Sequence, residues 1–179
     1  LPSYNGARKL PNLTALLAVL LAKECIPVLV HGPATEPGRV TTIEIFHALG
    51  LPVAHDVAGI SHAWACQRPV AVTTDVLCPS LARLLDTRRV IGVRNSGHTV
   101  AKLLDPARNG KVMRVCNYTH PEYRLAVAAF LQHTAANAML LRGTEGEPVA
   151  DPRRLPRLDV FIRGTLKSEL SLTAREGVL

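Results

Sequence analysis

Acidic residues, aromatics and long apolar runs are all scarce in this chain of 179 residues. Lys and Arg number 21 against 14 Asp and Glu, which leaves a formal charge of +7 and a pI near 9.7. That balance favours nucleic acid or phosphate over acidic proteins as partners, without choosing between the first two. One Trp, three Tyr and three Phe give little material for stacking on bases. The longest apolar run, 13–22, is broken by Thr14 and falls well short of the roughly twenty residues that span a bilayer. It also lacks the cationic start and small-residue exit of a secretory signal. No membrane partner is expected, and the chain reads as cytoplasmic. Cys25, Cys66, Cys78 and Cys116 are widely spaced with no CxxC pattern. This indicates neither a zinc site nor a disulfide framework and predicts reduced, mostly buried thiols. There is no GxSxG, GxGxxG or HExxH, so the common signatures of a serine hydrolase, a dinucleotide binder and a zinc protease are all missing.

What is present begins with charge. Arg83, Arg88, Arg89, Arg94, Lys102, Arg108, Lys111 and Arg114 face only Asp86 and Asp105 over 83–114, so +6 of the net +7 lies in one stretch. A local cationic patch implies a polyanionic or phosphorylated partner. Within it runs Gly92-Val93-Arg94-Asn95-Ser96-Gly97-His98-Thr99, a glycine turn with polar donors ahead of a helix expected over 100–104. Unpaired N–H groups and the positive dipole end make such a place suited to anions.

The content of 47% hydrophobic and 20% charged residues describes a soluble globular chain of one domain. Asn12 is a candidate N-cap for a helix through Glu24, carried by Leu13, Leu16, Leu17, Leu20 and Leu21 at helical spacing. A strand over 26–30 and a polar loop over 31–39 follow. Thr41-x-x-Glu44 is a capping box opening a helix that Gly50 stops. Helices over 57–67 and 79–87 and strands over 69–72 and 112–116 come next. A second capping box, Thr119-x-x-Glu122, starts a helix to about 133. Strands over 138–141 and 158–162 flank a Pro/Arg-rich loop over 143–157. Short apolar strands alternating with helices indicate an α/β domain whose central sheet is mostly parallel and covered on both faces.

Four further groups could carry chemistry. His31-Gly32, just beyond the 26–30 strand, occupies the place where parallel α/β sheets bind ligands. Ser3, Asn5, Gly6, Arg8 and Lys9 make a candidate phosphate loop without the P-loop spacing. Glu145 and Glu147 are weak candidates for holding a metal. Arg153, Arg154, Arg157 and Arg163 either extend the basic surface or are neutralised by Glu147, Asp151 and Asp159.

Taken together, Ser3-Tyr4-Asn5-Gly6-Ala7-Arg8-Lys9, the 92–99 stretch, Thr119-His120-Pro121-Glu122-Tyr123 and Leu141-Arg142-Gly143-Thr144-Glu145-Gly146-Glu147 resemble the anthranilate phosphoribosyltransferase family, on the nucleoside phosphorylase-type scaffold of glycosyltransferases. The resemblance covers nearly the whole chain and is closer to the YbiB-type relatives, which are described as nucleic-acid-binding proteins. It implies a mixed, mostly parallel sheet flanked by helices. It also implies a longer protein, with an N-terminal helical domain and a final segment outside residues 1–179, and a homodimer formed through that helical domain. The absence of an initiator Met and the stop at Glu176-Gly177-Val178-Leu179 are read as those of a fragment.

Family members that use phosphoribosyl pyrophosphate and magnesium carry a Gly-Thr-Gly-Gly-Asp loop, a Lys-His-Gly-Asn motif and an Asp-Glu pair. Here the loop reads Ser3-Tyr4-Asn5-Gly6-Ala7, only His31-Gly32 of the second motif remains between Val30 and Pro33, and the acidic pair becomes Glu147-Pro148. Arg94 matches the arginine that the family directs at the acceptor's carboxylate. The reading that follows is a binder of DNA or RNA without a cofactor. It holds backbone phosphates through Ser3, Asn5, Gly6, Arg8, Lys9, His31, Gly32, Arg88, Arg89, Arg94, Asn95, Ser96, His98 and Lys102, and no residue is assigned a catalytic role. A magnesium-dependent phosphoribosyltransferase with an altered acceptor is the alternative.

Overall fold

A computed structural model describes residues 1–107, 111–151 and 153–176. The chain divides into two compact units, Leu1–Leu104 and Asp105–Leu179.

The first unit is built on three parallel strands in the order β1-β3-β2: β1 (Leu29–Gly32), β2 (Val53–Ala54) and β3 (Val70–Thr73). The central strand β3 is buried at all four positions. Ala71 joins the cluster of Ala15, Ala18, Val28, Val30, Ile43 and Phe46, while Val70 and Val72 pack with Ala54 and Ala63. Alternate residues thus serve opposite faces, and helices cover both. Those helices are α1 (Thr14–Lys23), α2 (Thr42–Ala48) and α3 (Val57–Ala65). Beyond β3 come α4 (Thr74–Leu77), α5 (Pro79–Asp86), α6 (Arg88–Ile91), α7 (Gly97–Val100) and a 3-10 turn over Ala101–Leu103.

Local signals fared well where the interaction is local. The box at α2 forms: Thr41 Oγ1 accepts from the Glu44 N–H at 3.2 Å and Glu44 Oε2 accepts from the Thr41 N–H at 2.8 Å. Gly50 ends that helix at φ +62. Thr41→Ala should cost about 1 kcal/mol, read as a lower denaturation midpoint with unchanged slope. Asn12 Oδ1 accepts from the Thr14 N–H at 3.1 Å while its Nδ2 donates to Thr42 Oγ1 at 2.9 Å. The N-cap is Leu13 rather than the expected Asn12, which sits one residue earlier and ties the entry of α1 to α2.

Three further expectations need correcting here. The first strand is 29–32 rather than 26–30, so His31 and Gly32 are its last two residues and not a loop beyond it. The cause is a partner the local sequence does not show. The His31 N–H donates to the Leu1 carbonyl at 3.0 Å and the Ser3 N–H to the His31 carbonyl at 2.8 Å, which extends the strand. The helix expected over 100–104 is instead the short α7 followed by the 3-10 turn, and Gly92, at φ +74, closes the unforeseen α6. The thiols are not mostly buried: Cys116 is buried, but Cys25 and Cys66 are exposed and Cys78 is intermediate. Cys25 and Cys66 lie just past the last turns of α1 and α3, where the chain turns out toward solvent.

The second unit holds a four-stranded sheet, β4-β5-β7-β8, made of β4 (Arg114–Tyr118), β5 (Ala138–Arg142), β7 (Leu158–Ile162) and β8 (Thr165–Leu166). Strands β4 and β5 are parallel, whereas β7 and β8 run antiparallel to their neighbours, which makes this sheet mixed. A separate ribbon pairs β6 (Arg154–Leu155) with β9 (Arg175–Glu176). Helix α8 (Tyr123–His133) packs on β4 and β5. Its expected box does not form. Glu122 is the N-cap and makes no side-chain cap bond. The chain enters instead by tight turns, Tyr123 N–H to His120 O and Arg124 N–H to Pro121 O, both 3.1 Å. Asp159 is 2% exposed and takes charged bonds from Arg124 at 2.8 Å and Arg157 at 2.7 Å, as a buried carboxylate must. Arg153 pairs with Asp151 at 2.8 Å, so Arg153 and Arg157 are neutralised within their own segment. No helix among the described residues is long and apolar enough to cross a membrane.

Candidate anion site in the first unit

The segment 1–7 lies along the carboxyl end of β1. Its Ser3 Oγ hydrogen-bonds Thr42 Oγ1 at 2.7 Å, and the N–H groups of Ala7 and Val40 each donate to the other's carbonyl at 2.9 Å. Gly6, at φ +65, would press a Cβ within 3.0 Å of both Arg39 Cβ and Val40 O. Gly32 is tighter still: a Cβ there would stand 1.8 Å from the Ser3 carbonyl oxygen. Loop and strand end are therefore in direct contact, with no gap between them.

Tyr4 fills the interior behind this contact. It is 1% exposed and packs with Leu85 and Ala101. Its hydroxyl lies 3.0 Å from His31 Nδ1, with the two rings edge-on at 5.5 Å. Burial pushes the Tyr4 hydroxyl up to about 12 and holds His31 well below the usual histidine value. Both groups are therefore neutral, and a single proton lies between the hydroxyl and Nδ1. His98 is held low as well, by burial first and then by the charge of Arg94. Its Nδ1 lies 3.2 Å from Asn95 Oδ1.

Unfolded histidines titrate near 6.5. Because the folded values of His31 and His98 lie lower, only the unfolded chain takes up their protons as pH falls through that range. Their contribution is fully present above about pH 6.5 and drains away below it. Thermal melts at descending pH should show the midpoint dropping by several degrees between about 7 and 5. A flat profile over that window would contradict the buried neutral state.

The arginines gather around Asn5 and the 33–37 loop. Arg94 Nη1 donates to Asn5 Oδ1 at 2.7 Å, and its Nη2 lies 3.7 Å from Glu36 Oε1. Arg88 is ion-paired with the same Glu36 oxygen, and Arg89 pairs with Asp86. Arg89 Nη2 also donates to Thr35 Oγ1 at 3.1 Å. A cavity of about 300 Å³ lies among the 33–37 loop, Thr74, Asp75, Arg83, Asp86, Arg88 and Arg89.

Asn5, Arg88 and Arg94 are thus brought together, with Arg89 beside them. Asn95 is spent on the fold, donating to Leu84 O at 2.8 Å and Thr87 Oγ1 at 3.0 Å. Ser96 is exposed and caps nothing at α7. Lys102 is buried in the 3-10 turn, and Arg8 and Lys9 are exposed. Lys111 and Arg114 belong to the second unit, where Arg114 lies 3.9 Å from Asp105. Arg108 falls outside the described residues. Glu36 and Tyr4 are central and were not singled out by sequence. The available hints were a lone acid in the loop at the end of β1 and an aromatic in an otherwise small, polar stretch.

No protein-family model matches the chain. Over 165 residues it is 44% identical to the protein YbiB of Escherichia coli (strain K12), a match that takes in 91% of this chain and 51% of YbiB. Among solved structures it superposes on anthranilate phosphoribosyltransferase from Thermus thermophilus with a TM-score of 0.69 at 20% identity, over 98% of this chain and 53% of that one. The chain spans about half the length of each. In sequence it is similar to YbiB, and its fold is the phosphoribosyltransferase-like α/β scaffold.

Proposed function

We propose that the chain binds the phosphate backbone of nucleic acid through the arginines around the carboxyl end of its first sheet, and carries out no transfer. The observation that carries this reading is the closure of segment 3–6 onto β1. In the resemblance, that loop cradles a diphosphate with backbone N–H groups. Here Tyr4 fills the interior and Gly32 abuts Ser3. Departure of pyrophosphate needs donors and charge aimed at the leaving oxygens, and a filled cradle supplies neither. The cations remain outward: Arg83 and Arg89 are exposed, and Arg88 and Arg94 are half-buried. Phosphate contacts of this kind position a polyanion without reading its bases.

Magnesium, which a transferase of this family would use, does not fit the residues present. Glu147 is 1% exposed, inside a turn closed by its own N–H to Thr144 O at 2.9 Å, and Pro148 follows it. Magnesium keeps several waters when bound, which an enclosed single carboxylate cannot accommodate.

Calorimetry with phosphoribosyl pyrophosphate, with and without magnesium, tests the reading. No magnesium-dependent heat is expected. Micromolar, magnesium-dependent binding would favour the transferase instead.

A further inference from the structure

We infer that the space between Arg88 and Arg94 is a phosphate subsite that the chain's own Glu36 carboxylate occupies, so that an incoming phosphate must displace Glu36 to bind. The inference rests on the proposed phosphate-backbone function and names the side chain that competes at that surface.

Glu36 is the one acid of the 33–39 loop, and its side chain is 9% exposed while Ala34, Thr35, Pro37 and Gly38 around it are exposed. It reaches inward onto two guanidinium groups, Arg88 in contact and Arg94 at 3.7 Å. Arg94 is fixed independently, since Asn5 Oδ1 accepts from its Nη1 at 2.7 Å. Half of the receptor is thus held by a residue other than its occupant. Carboxylate and phosphate present the same oxygen geometry to arginine, so what holds Glu36 also suits a phosphodiester or a free phosphate. The carboxylate has somewhere to go. The loop turns at Gly38, at φ +68 with nothing within 4 Å of a would-be Cβ, and the cavity of about 300 Å³ adjoins Glu36 and Arg88.

Removing the competing charge should therefore strengthen anion binding. Glu36→Gln keeps the size and adds one net positive charge at the subsite. Glu24→Gln adds the same net charge just past the end of α1, at the amino edge of the sheet and away from the arginines. With a short oligonucleotide at about 50 mM salt, E36Q should bind about tenfold tighter than the parent, with a salt slope steeper by about one. E24Q should change affinity by less than about twofold. Equal gains from both variants, or no gain from E36Q with either this probe or inorganic pyrophosphate, would overturn the subsite. Inorganic pyrophosphate, followed by calorimetry, separates the two levels of the proposal. If E36Q alone gains pyrophosphate binding while no variant binds the oligonucleotide, the subsite stands and the nucleic-acid function falls. If the parent binds the oligonucleotide but E36Q gains with neither probe, the subsite falls alone. Should E36Q melt below the assay temperature, Glu36→Asp replaces it, since its shorter carboxylate reaches Arg94 less well. A gain of about threefold is then expected, and none would overturn the subsite.

Discussion

Replacing Gly32 with alanine is expected to cost about 3 kcal/mol or more and to loosen segment 1–7 from β1. The added methyl would stand 1.8 Å from the Ser3 carbonyl oxygen. That obstacle is backbone, so it cannot swing aside as a side chain would. The Ser3 N–H to His31 O bond of 2.8 Å fixes the approach, and relieving the clash means giving it up. Loss of that bond would also withdraw Tyr4 from its place beside His31, Leu85 and Ala101. Denaturant titration should show a large fall in midpoint, and limited proteolysis should cut within the first residues of the variant before the parent. A G32A protein with parental stability and resistance would contradict the closed cradle on which the binding proposal depends.

The second large effect is on binding. Arg83 and Arg89 are exposed, and the Arg89–Asp86 pair is itself exposed, so it contributes little and yields readily to phosphate. Each backbone contact is worth roughly fifteenfold in affinity between about 1 M and 50 mM salt, from a slope near 0.9 per phosphate. Arg83→Glu with Arg89→Glu removes two contacts and adds repulsion. Affinity for an oligonucleotide at about 50 mM salt should fall by about 100-fold or more, while the melting temperature moves little. An affinity within about threefold of the parent would place the interface elsewhere.

How much was visible beforehand depended on the distance between partners along the chain. The box at Thr41 and Glu44 joins residues three apart, and Gly50 ends its helix alone; both were legible, as was the leucine spacing of α1. The α/β alternation followed from such local signals. The end of β1 was not legible, because residues 1–3 extend it from nearly thirty positions away. The Thr119–Glu122 pattern has the right letters, but tight turns at His120 and Pro121 replace the box.

Charge behaved in the same way. Over 83–114 the count of cations and acids was sound, yet it could not show Glu36 arriving from the 33–39 loop to pair with Arg88 and Arg94. Nor could it show Asn5 meeting Arg94 across 89 positions. The patch is therefore smaller in net charge than its sequence suggests, and Glu36 becomes the residue that sets how much of it a partner meets.

The most direct measurement is the affinity of the chain for a short oligonucleotide across a range of salt concentrations. Backbone binding through these arginines predicts a linear fall of log affinity with log salt and a slope of about −2 to −4, reduced by about two in the Arg83→Glu, Arg89→Glu variant. A slope near zero, or one the double variant leaves untouched, would contradict phosphate recognition by this surface.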